Sequence, residues 1–139
     1  MNTEIDKSIF KSFPELESER LLFRRILQSD AKDLFLLRSN DDVLRFMDVP
    51  RHHSISDSEK LIHTLDESYE NETGINWVIV EKRSNSFAGY FGFWRMIPEH
   101  CRAEIGYAIK PEFWGKSYMH ETINKMVRFG FENMKIHSI

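Results

Sequence analysis

The chain has 139 residues, of which 41% are hydrophobic and 29% charged, and this composition predicts one globular domain rather than a disordered segment. The formal net charge of −3 argues against a general nucleic-acid binder, which concentrates basic residues on one face, and is compatible with a cationic substrate such as an amine. The single cysteine excludes an intrachain disulfide, and the polar N-terminus and lack of a long apolar stretch predict a cytoplasmic protein without a membrane span.

The first half of the chain predicts a strand over residues 17–26 followed by helices. Asp30 is expected to cap the first helix, whose buried stripe is Ala31, Leu34, Phe35 and Leu37. A second, short helix begins near Asn40 and ends before Pro50. The third helix begins at a capping box formed by Ser56 and Glu59 and ends near residue 71.

From residue 76 the hydrophobic period changes to that of strands. Strands are predicted over residues 76–80, 87–94 and 102–109, and their short connections favour an antiparallel meander. A long helix follows Ser117, and Lys135–Ile139 begins another strand. The predicted buried stripe of that helix is Met119, Ile123, Met126, Val127 and Gly130.

The junction between the third of these strands and the long helix carries the most chemistry. Gly115, Lys116 and Ser117 stand where the helix begins, and a helix N-terminus offers unpaired N–H groups and a positive dipole end. With a glycine that allows close approach, this arrangement predicts a phosphate cradle. Any strand-to-helix turn also favours Gly and Ser, so an ordinary turn is the alternative. A P-loop is excluded, because that motif needs a glycine where Lys110 stands.

These residues resemble a known family. The run Glu104–Ile109 followed by Pro111–Glu121 looks like the core of GNAT acetyltransferases, in the branch that acetylates ribosomal proteins (RimJ/RimL-like). Supporting matches lie at residues 19–24, 75–80 and 88–94, in the family's order. The resemblance implies an α+β fold with one mixed, mostly antiparallel sheet, helices on both faces and a single domain over residues 1–139.

The resemblance also implies acetyl-CoA as cosubstrate and no metal. Tyr107, Ala108 and Ile109 would pair their backbone with the pantetheine arm. The pyrophosphate would be held by Trp114, Gly115, Lys116, Ser117, Tyr118 and Met119. The family's loop pattern, Gln/Arg-x-x-Gly-x-Gly/Ala, is met strictly only at Gly115, because Glu112 and Ser117 occupy the outer positions.

The implied reaction is acetyl transfer to an amine, with the N-terminal α-amino group of a ribosomal protein as the first choice of acceptor. A polyamine or another small amine is the second choice, and a non-catalytic acyl-CoA-binding module is the rival from another class. Glu104 is the candidate base, since a partly buried glutamate has a raised pKa. The alternative is a solvent-facing Glu104 paired with Arg95 or Arg102.

Four further residues invite other chemistry. Cys101 follows His100, but adjacent strand residues point to opposite faces, so they do not form a nucleophilic dyad. His52 and His53 lack further ligands at metal spacing and are expected to border the substrate cleft.

Several large side chains have two possible roles. Phe46, Trp77 and Trp94 are candidates for the wall of an acceptor pocket, with core packing as the expected role of at least two of them. Met119 and Met126 are expected to pack in the core.

The resemblance further implies that the chain ends before the domain is complete, without the strands and helix that close the family's sheet. An uncovered strand edge is a template for another chain. This form is therefore expected either to self-associate through residues 136–139, as a homodimer or larger species, or to be poorly soluble.

Overall fold

The computed structural model describes residues 7–45, 47–97 and 102–136, which form one antiparallel sheet and four α-helices. The strands are β1 (Leu16–Glu17), β2 (Leu21–Arg25), β3 (Ile75–Glu81), β4 (Ser86–Ile97) and β5 (Arg102–Ile109). The helices are α1 (Ala31–Arg38), α2 (Asp41–Leu44), α3 (Ile55–Glu70) and α4 (Tyr118–Glu132). The strands lie side by side in chain order. The predicted α+β class is confirmed, and every pairing among the described strands is antiparallel.

The sheet is covered on both faces, which explains why all seven residues of β3 are buried. One face packs against α4 and the N-terminal 3-10 helix Lys7–Phe10, with Trp77, Phe93 and Met126 at its centre. The other face packs against α1 and α3 through Leu34, Leu37 and Ile62, among other residues. A central strand between two helical layers needs apolar side chains on both sides, and the run Ile75–Val80 supplies them. Within the described residues, no helix has the length and apolar character to cross a membrane.

The first predicted strand is two short strands. Ser18 N–H donates to the Leu21 carbonyl oxygen at 2.9 Å, so the chain turns at Ser18–Arg20 and β1 pairs back on β2. The turn is fixed by contacts that Arg20 makes with α4, which lies about a hundred residues later in the chain and is not visible in the local pattern.

Two predicted helix caps are wrong, because the polar side chains at these positions pair differently from the prediction. Asp30 makes no capping bond, because its carboxylate accepts two hydrogen bonds from Arg24, each 2.9 Å long, and one from Leu27 N–H at 2.8 Å. The third helix begins two residues earlier than the predicted box, with Ser54 as its N-cap and Asp57 three residues later. The Asp57 carboxylate accepts from His53 N–H at 2.8 Å, so an Asp performs the part that the prediction gave to a Glu.

The buried stripe of α4 is rotated from the predicted one. Tyr118, Thr122, Met126, Phe129 and Gly130 face the sheet, whereas the predicted Met119, Ile123 and Val127 are only half-buried. The rotation follows from Tyr118, which is held inward by a hydrogen bond to the end of β3 and sets the angular position of the helix. Lys135 and Ile136 are not in a strand, and residues 137–139 of that predicted strand lie outside the described residues.

Candidate active site

A cleft of about 670 Å³ opens where β5 runs into α4. One wall consists of the β5 edge and the following loop: Ile105, Gly106, Tyr107, Ala108, Ile109, Phe113, Trp114, Gly115, Ser117, Tyr118 and Met119. The opposite wall is formed by Val43, Met47, Asp48, Val49 and Trp94. The volume of the cleft lies within the range of roughly 300–1,000 Å³ that is usual for small-molecule sites. All the predicted cofactor residues except Lys116 line this cleft.

The backbone of β5 offers hydrogen-bonding groups to the cleft. Lys110 N–H donates to the Ala88 carbonyl oxygen at 2.8 Å, and Tyr90 lies opposite Ala108. In an antiparallel pair the bonded residues alternate, so the N–H and C=O groups of Tyr107 and Ile109 point away from β4. Within the described residues β5 is an edge strand, and these groups face its open side.

Trp114 forms a hydrogen bond to one of these edge groups. Its indole N–H donates to the Ile109 carbonyl oxygen at 2.8 Å, and the ring remains about half exposed at the mouth of the cleft. The edge groups that remain available to a ligand are the Tyr107 N–H and C=O and the Ile109 N–H. Trp114 is therefore both part of the cleft wall and the cap of the strand end.

The loop before α4 has the conformation of an anion-binding turn. Gly115 and Ser117 have φ of 82° and 62°, which places both in the left-handed region, with Lys116 between them. Backbone conformations that alternate in handedness turn successive N–H groups toward one concave side. A Cβ built on Gly115 meets no atom within 4 Å, so the space beside this residue is open to a ligand.

The N-terminus of α4 leaves its first N–H groups unused by the helix. The first intrahelical bond runs from Glu121 N–H to the Ser117 carbonyl oxygen at 3.1 Å, so the N–H groups of Tyr118, Met119 and His120 have no helical acceptor. Ser117 stands at the N-cap position, but its side chain makes no capping bond, because N-cap residues that cap have extended rather than left-handed backbone. The hydroxyl is therefore not used to cap the helix. The positive end of the helix dipole favours an anion here.

Tyr118 and Lys116 are tied to the end of β3. The Tyr118 hydroxyl donates to Glu81 Oε2 at 2.5 Å, and the Ser84 hydroxyl donates to Glu81 Oε1 at 2.6 Å. The hydrogen bonds from Ser84 and Tyr118 lower the pKa of Glu81, and the same carboxylate raises the pKa of Tyr118. Lys116 Nζ lies 3.7 Å from Glu81 Oε2 and is half exposed. The Tyr118 hydroxyl is thus committed to the fold, while the Lys116 ammonium group can swing to an anion in the loop.

Trp94 forms the apolar part of the opposite wall. Its ring lies over Gly106, where an added Cβ would come within 2.9 Å of a ring carbon, and it stacks on Tyr90 with centroids 6.4 Å apart. The indole N–H donates to the Asn76 side-chain oxygen. The tryptophan is therefore fixed in orientation, and only a residue without a side chain fits beneath it at Gly106.

Glu104, the predicted base, lies beside the cleft but outside its lining. Its side chain is 60% exposed and accepts a hydrogen bond from Arg95 Nη1 at 3.1 Å. Glu104 is therefore not partly buried, and the alternative of a solvent-facing Glu104 paired with Arg95 is the arrangement that the structure shows. Its role as base stays a prediction.

Other predicted residues are placed as follows. Neither His52 nor His53 lines the cleft: His52 is buried, its Nδ1 lies 2.8 Å from the Ser58 hydroxyl, and burial lowers its pKa. Trp77 is fully buried in the core. Phe46, His100 and Cys101 lie outside the described residues. The described residues contain no group of three or more His, Cys, Asp or Glu side chains that could hold a metal ion.

Of the two methionines expected in the core, one lies there and the other lines the cleft. Met126 is fully buried in the core, whereas Met119 is half-buried and lines the cleft.

Sequence reasoning missed three residues that shape the site. Glu81 and Asp48 were not considered. Arg20 lay in a segment that matched the family, but it was interpreted only as part of a strand. Its signal was the polar triplet Ser18-Glu19-Arg20 directly before the apolar residues Leu21–Phe23, which is compatible with a turn.

Comparison with known proteins identifies the class. Residues 20–139 match the acetyltransferase (GNAT) domain family, and the chain belongs to it. The chain is 36% identical over 127 residues to the uncharacterized N-acetyltransferase YoaA of Bacillus subtilis (strain 168), covering 91% of this chain and 72% of that protein. The protein is accordingly an acetyl-CoA-dependent N-acetyltransferase of the GNAT type.

Solved structures share its fold. The ribosomal-protein-S5-alanine acetyltransferase of Vibrio fischeri superimposes with a TM-score of 0.75 at 20% identity, over 89% of this chain and 70% of that one. A chimera of the spermidine N-acetyltransferase SpeG of Vibrio cholerae and hSSAT superimposes with a TM-score of 0.72 at 19% identity, over 86% and 68%. At these identities the likeness shows the fold, and the two proteins differ in the acceptor that their names give.

Proposed function

We propose that this protein transfers the acetyl group of acetyl-CoA to the N-terminal α-amino group of a protein, with a ribosomal protein as the favoured acceptor. The observation that carries the proposal is the cleft in which an open strand edge meets the N-terminus of α4 through a left-handed loop. An extended chain that ends in an anionic pyrophosphate is complementary to both features.

The donor is proposed to lie along the first wall. The pyrophosphate binds the N–H groups of the loop and of Tyr118 and Met119, with Lys116 and the Ser117 hydroxyl as further donors. The pantetheine arm extends beside β5 and bonds to the Tyr107 and Ile109 edge groups. Because the Trp114 indole N–H already bonds to the Ile109 carbonyl oxygen, one acceptor and two donors on this stretch can bond to the arm. These are the Tyr107 C=O, the Tyr107 N–H and the Ile109 N–H.

The reaction is direct acyl transfer. The lone pair of a neutral amine attacks the thioester carbonyl carbon, the C–S bond breaks, the sulfur leaves as a thiolate, and the amine proton passes to a base. An N–H of the β5 edge stabilises the oxyanion that forms at the carbonyl. Glu104 is the proposed base, and on β5 it directly precedes Ile105, which lines the cleft.

The second wall favours an acceptor with one positive charge and an apolar flank. Asp48 is its acidic residue, and this carboxylate makes no hydrogen bond or ion pair with any other residue that the structure describes. Val43, Met47 and Trp94 around it are apolar or aromatic. A polyamine carries several charges and needs several carboxylates, whereas a protein N-terminus presents one ammonium group beside a side chain. The solved ribosomal-protein acetyltransferase of the same fold supports this choice, and the spermidine enzyme is the competing precedent.

The test is an acceptor panel with purified protein and acetyl-CoA. The panel contains a peptide with a free Ala or Ser N-terminus taken from a ribosomal protein, the same peptide with a blocked N-terminus, and spermidine. We expect turnover of the free peptide, with tandem mass spectrometry locating the acetyl group on the α-nitrogen. Faster turnover of spermidine refutes the acceptor class, and CoA binding without turnover of any amine supports the non-catalytic module.

Asp48→Asn tests the acceptor wall. Loss of one partly exposed charged contact, about 1.5 kcal/mol, should raise the peptide KM roughly tenfold and leave kcat and the acetyl-CoA KM nearly unchanged. Asp42→Asn is the matched control, because Asp42 is exposed, pairs with Arg45 and does not line the cleft. Equal effects of the two substitutions would contradict a specific role for Asp48.

A further inference from the structure

Arg20 does not line the cleft, and it contacts both the loop and the first turn of α4. Its Nη1 donates to the Lys116 carbonyl oxygen at 2.8 Å, and its Nε donates to Glu121 Oε1 at 2.7 Å. Its backbone N–H donates to Glu121 Oε2 at 2.9 Å. The guanidinium carbon also lies 4.5 Å from the centroid of the Tyr118 ring.

We infer that Arg20 is a positioning residue for donor binding: it orients the Lys116–Ser117 peptide so that its N–H faces the pyrophosphate, and it neutralises Glu121 beside that anion. This inference rests on the proposed placement of acetyl-CoA.

The orientation follows from the planarity of the peptide bond. In a trans peptide the C=O of one residue and the N–H of the next point in opposite directions, and no cis bond occurs in the described chain. Arg20 draws the Lys116 carbonyl oxygen away from the cleft, so the Ser117 N–H is turned toward the cleft side. Without this bond the peptide is free to rotate, because a loop with two left-handed residues has neighbouring conformations of similar energy. The carbonyl dipole would then oppose an anion.

The charge of Glu121 is the second reason. This carboxylate stands on the first turn of α4, next to the N–H groups that the anion would use. Burial raises its pKa, but hydrogen bonds from the Ser18 hydroxyl and from Arg20 outweigh burial and hold the pKa below its ordinary value, so Glu121 is ionised. An unpaired carboxylate at this place would repel a pyrophosphate. The Arg20 guanidinium offsets that charge through Nε, while its Nη1 holds the Lys116 carbonyl oxygen. A lysine cannot make these two bonds in fixed directions.

A purely structural role would not predict the same behaviour. The Arg20 side chain is 43% exposed, and ion pairs at the surface contribute little to folding. Arg20 variants should therefore fold, with their defect confined to ligands that carry the pyrophosphate. Pantetheine and acetyl-pantetheine, which lack it, are the probes that separate positioning from general damage.

The experiment measures CoA and pantetheine binding by calorimetry, and acetyl transfer from acetyl-CoA and acetyl-pantetheine. Arg20→Met should raise the Kd of CoA and the KM of acetyl-CoA at least tenfold. The kcat, the Kd of pantetheine and the KM of acetyl-pantetheine should stay within about twofold of wild type. Arg83→Met is the matched control, since Arg83 is exposed, lines a surface pocket together with Arg20 and Lys82, and loses the same charge. Among the described residues, Arg83 makes no hydrogen bond or ion pair with the loop. It should change the Kd of CoA less than threefold.

Two more variants separate the two parts of the inference. Arg20→Lys keeps the charge but not the fork, and it should resemble Arg20→Met more than wild type. Adding Glu121→Gln to Arg20→Met should recover part of the lost CoA affinity, because the carboxylate that repels the pyrophosphate is removed. The recovery should be partial, because the Lys116–Ser117 peptide bond is still not held in one orientation.

The outcomes distinguish this inference from the proposed function. Arg20→Met and Arg83→Met with equal effects, or an Arg20→Met defect that is as large for pantetheine as for CoA, would overturn the role of Arg20 alone. A wild-type protein that binds no CoA would overturn the proposed donor site together with it.

Discussion

Gly115 provides the sharpest test of the loop. Its φ of 82° is costly for a residue with a side chain, yet a Cβ built there meets nothing within 4 Å. Gly115→Asp therefore adds a negative charge to the open space beside the loop without a clash. Gly115→Asn adds nearly the same volume without the charge and is the matched control.

The two variants share a cost in stability and differ in electrostatics. The left-handed backbone costs each about 1 kcal/mol of unfolding free energy, since Asn and Asp tolerate this region better than other side chains. A carboxylate about 6 Å from a bound pyrophosphate charge, at an effective dielectric constant of about 20, opposes binding by about 3 kcal/mol, or roughly a hundredfold in Kd. Gly115→Asn should weaken CoA binding less than tenfold.

The assay is isothermal titration with CoA at about 0.05 M and 0.5 M salt, with thermal melts to confirm that both variants fold. The Asp penalty should shrink at high salt, because screening shortens the range of the charge. Equal Kd values for the Asp and Asn variants would refute the electrostatic reasoning. Wild-type affinity in both would show that the loop is only a turn.

Three further predictions use residues around the cleft. Glu104→Gln should lower kcat, remove the acid-side limb of the pH–rate profile and leave the Kd of CoA unchanged; an unaltered profile excludes Glu104 as base. Thr122→Val should raise the free energy of unfolding in urea by about 1 kcal/mol, because the fully buried Thr122 hydroxyl has no hydrogen-bond partner among the described residues, and a loss of stability would show that the hydroxyl is bonded. The pKa of Glu81 is lowered in the folded state from its ordinary value of 4.5, so its contribution to stability is present above that value and is lost as pH falls through the folded pKa. The stability difference between wild type and Glu81→Gln should shrink as pH is lowered below about 4.5, and a constant difference would contradict the pairing with Tyr118 and Ser84.

Much of the fold was determined by local patterns. The bounds of β5 were predicted as observed, and β3 and β4 were predicted to within a few residues, because their β-branched and aromatic runs leave no competing structure. The start of α4 after Ser117 was also predicted as observed, since Gly and Ser before a periodic segment are strong local signals. The resemblance to the GNAT family implied cofactor residues at this junction, and all of them but Lys116 line one cleft.

Only the tertiary structure determined how polar side chains pair. Asp30 has the residue type of a helix cap, but Arg24, six residues earlier, takes its carboxylate. The sequence left Glu104 either partly buried or solvent-facing and paired with an arginine, and the structure shows it exposed and paired with Arg95. Such outcomes depend on which groups meet in space, and residue type alone does not fix that.

Arg20 shows the same limit most clearly. The sequence predicts Arg20 to lie within the first strand, 96 residues from the Lys116 carbonyl that it contacts. Hydrophobic periodicity determined the layers of this protein, because burial depends on repeating apolar positions along each element. The site depends on single directional bonds between distant residues, and these form only once the layers have brought them together.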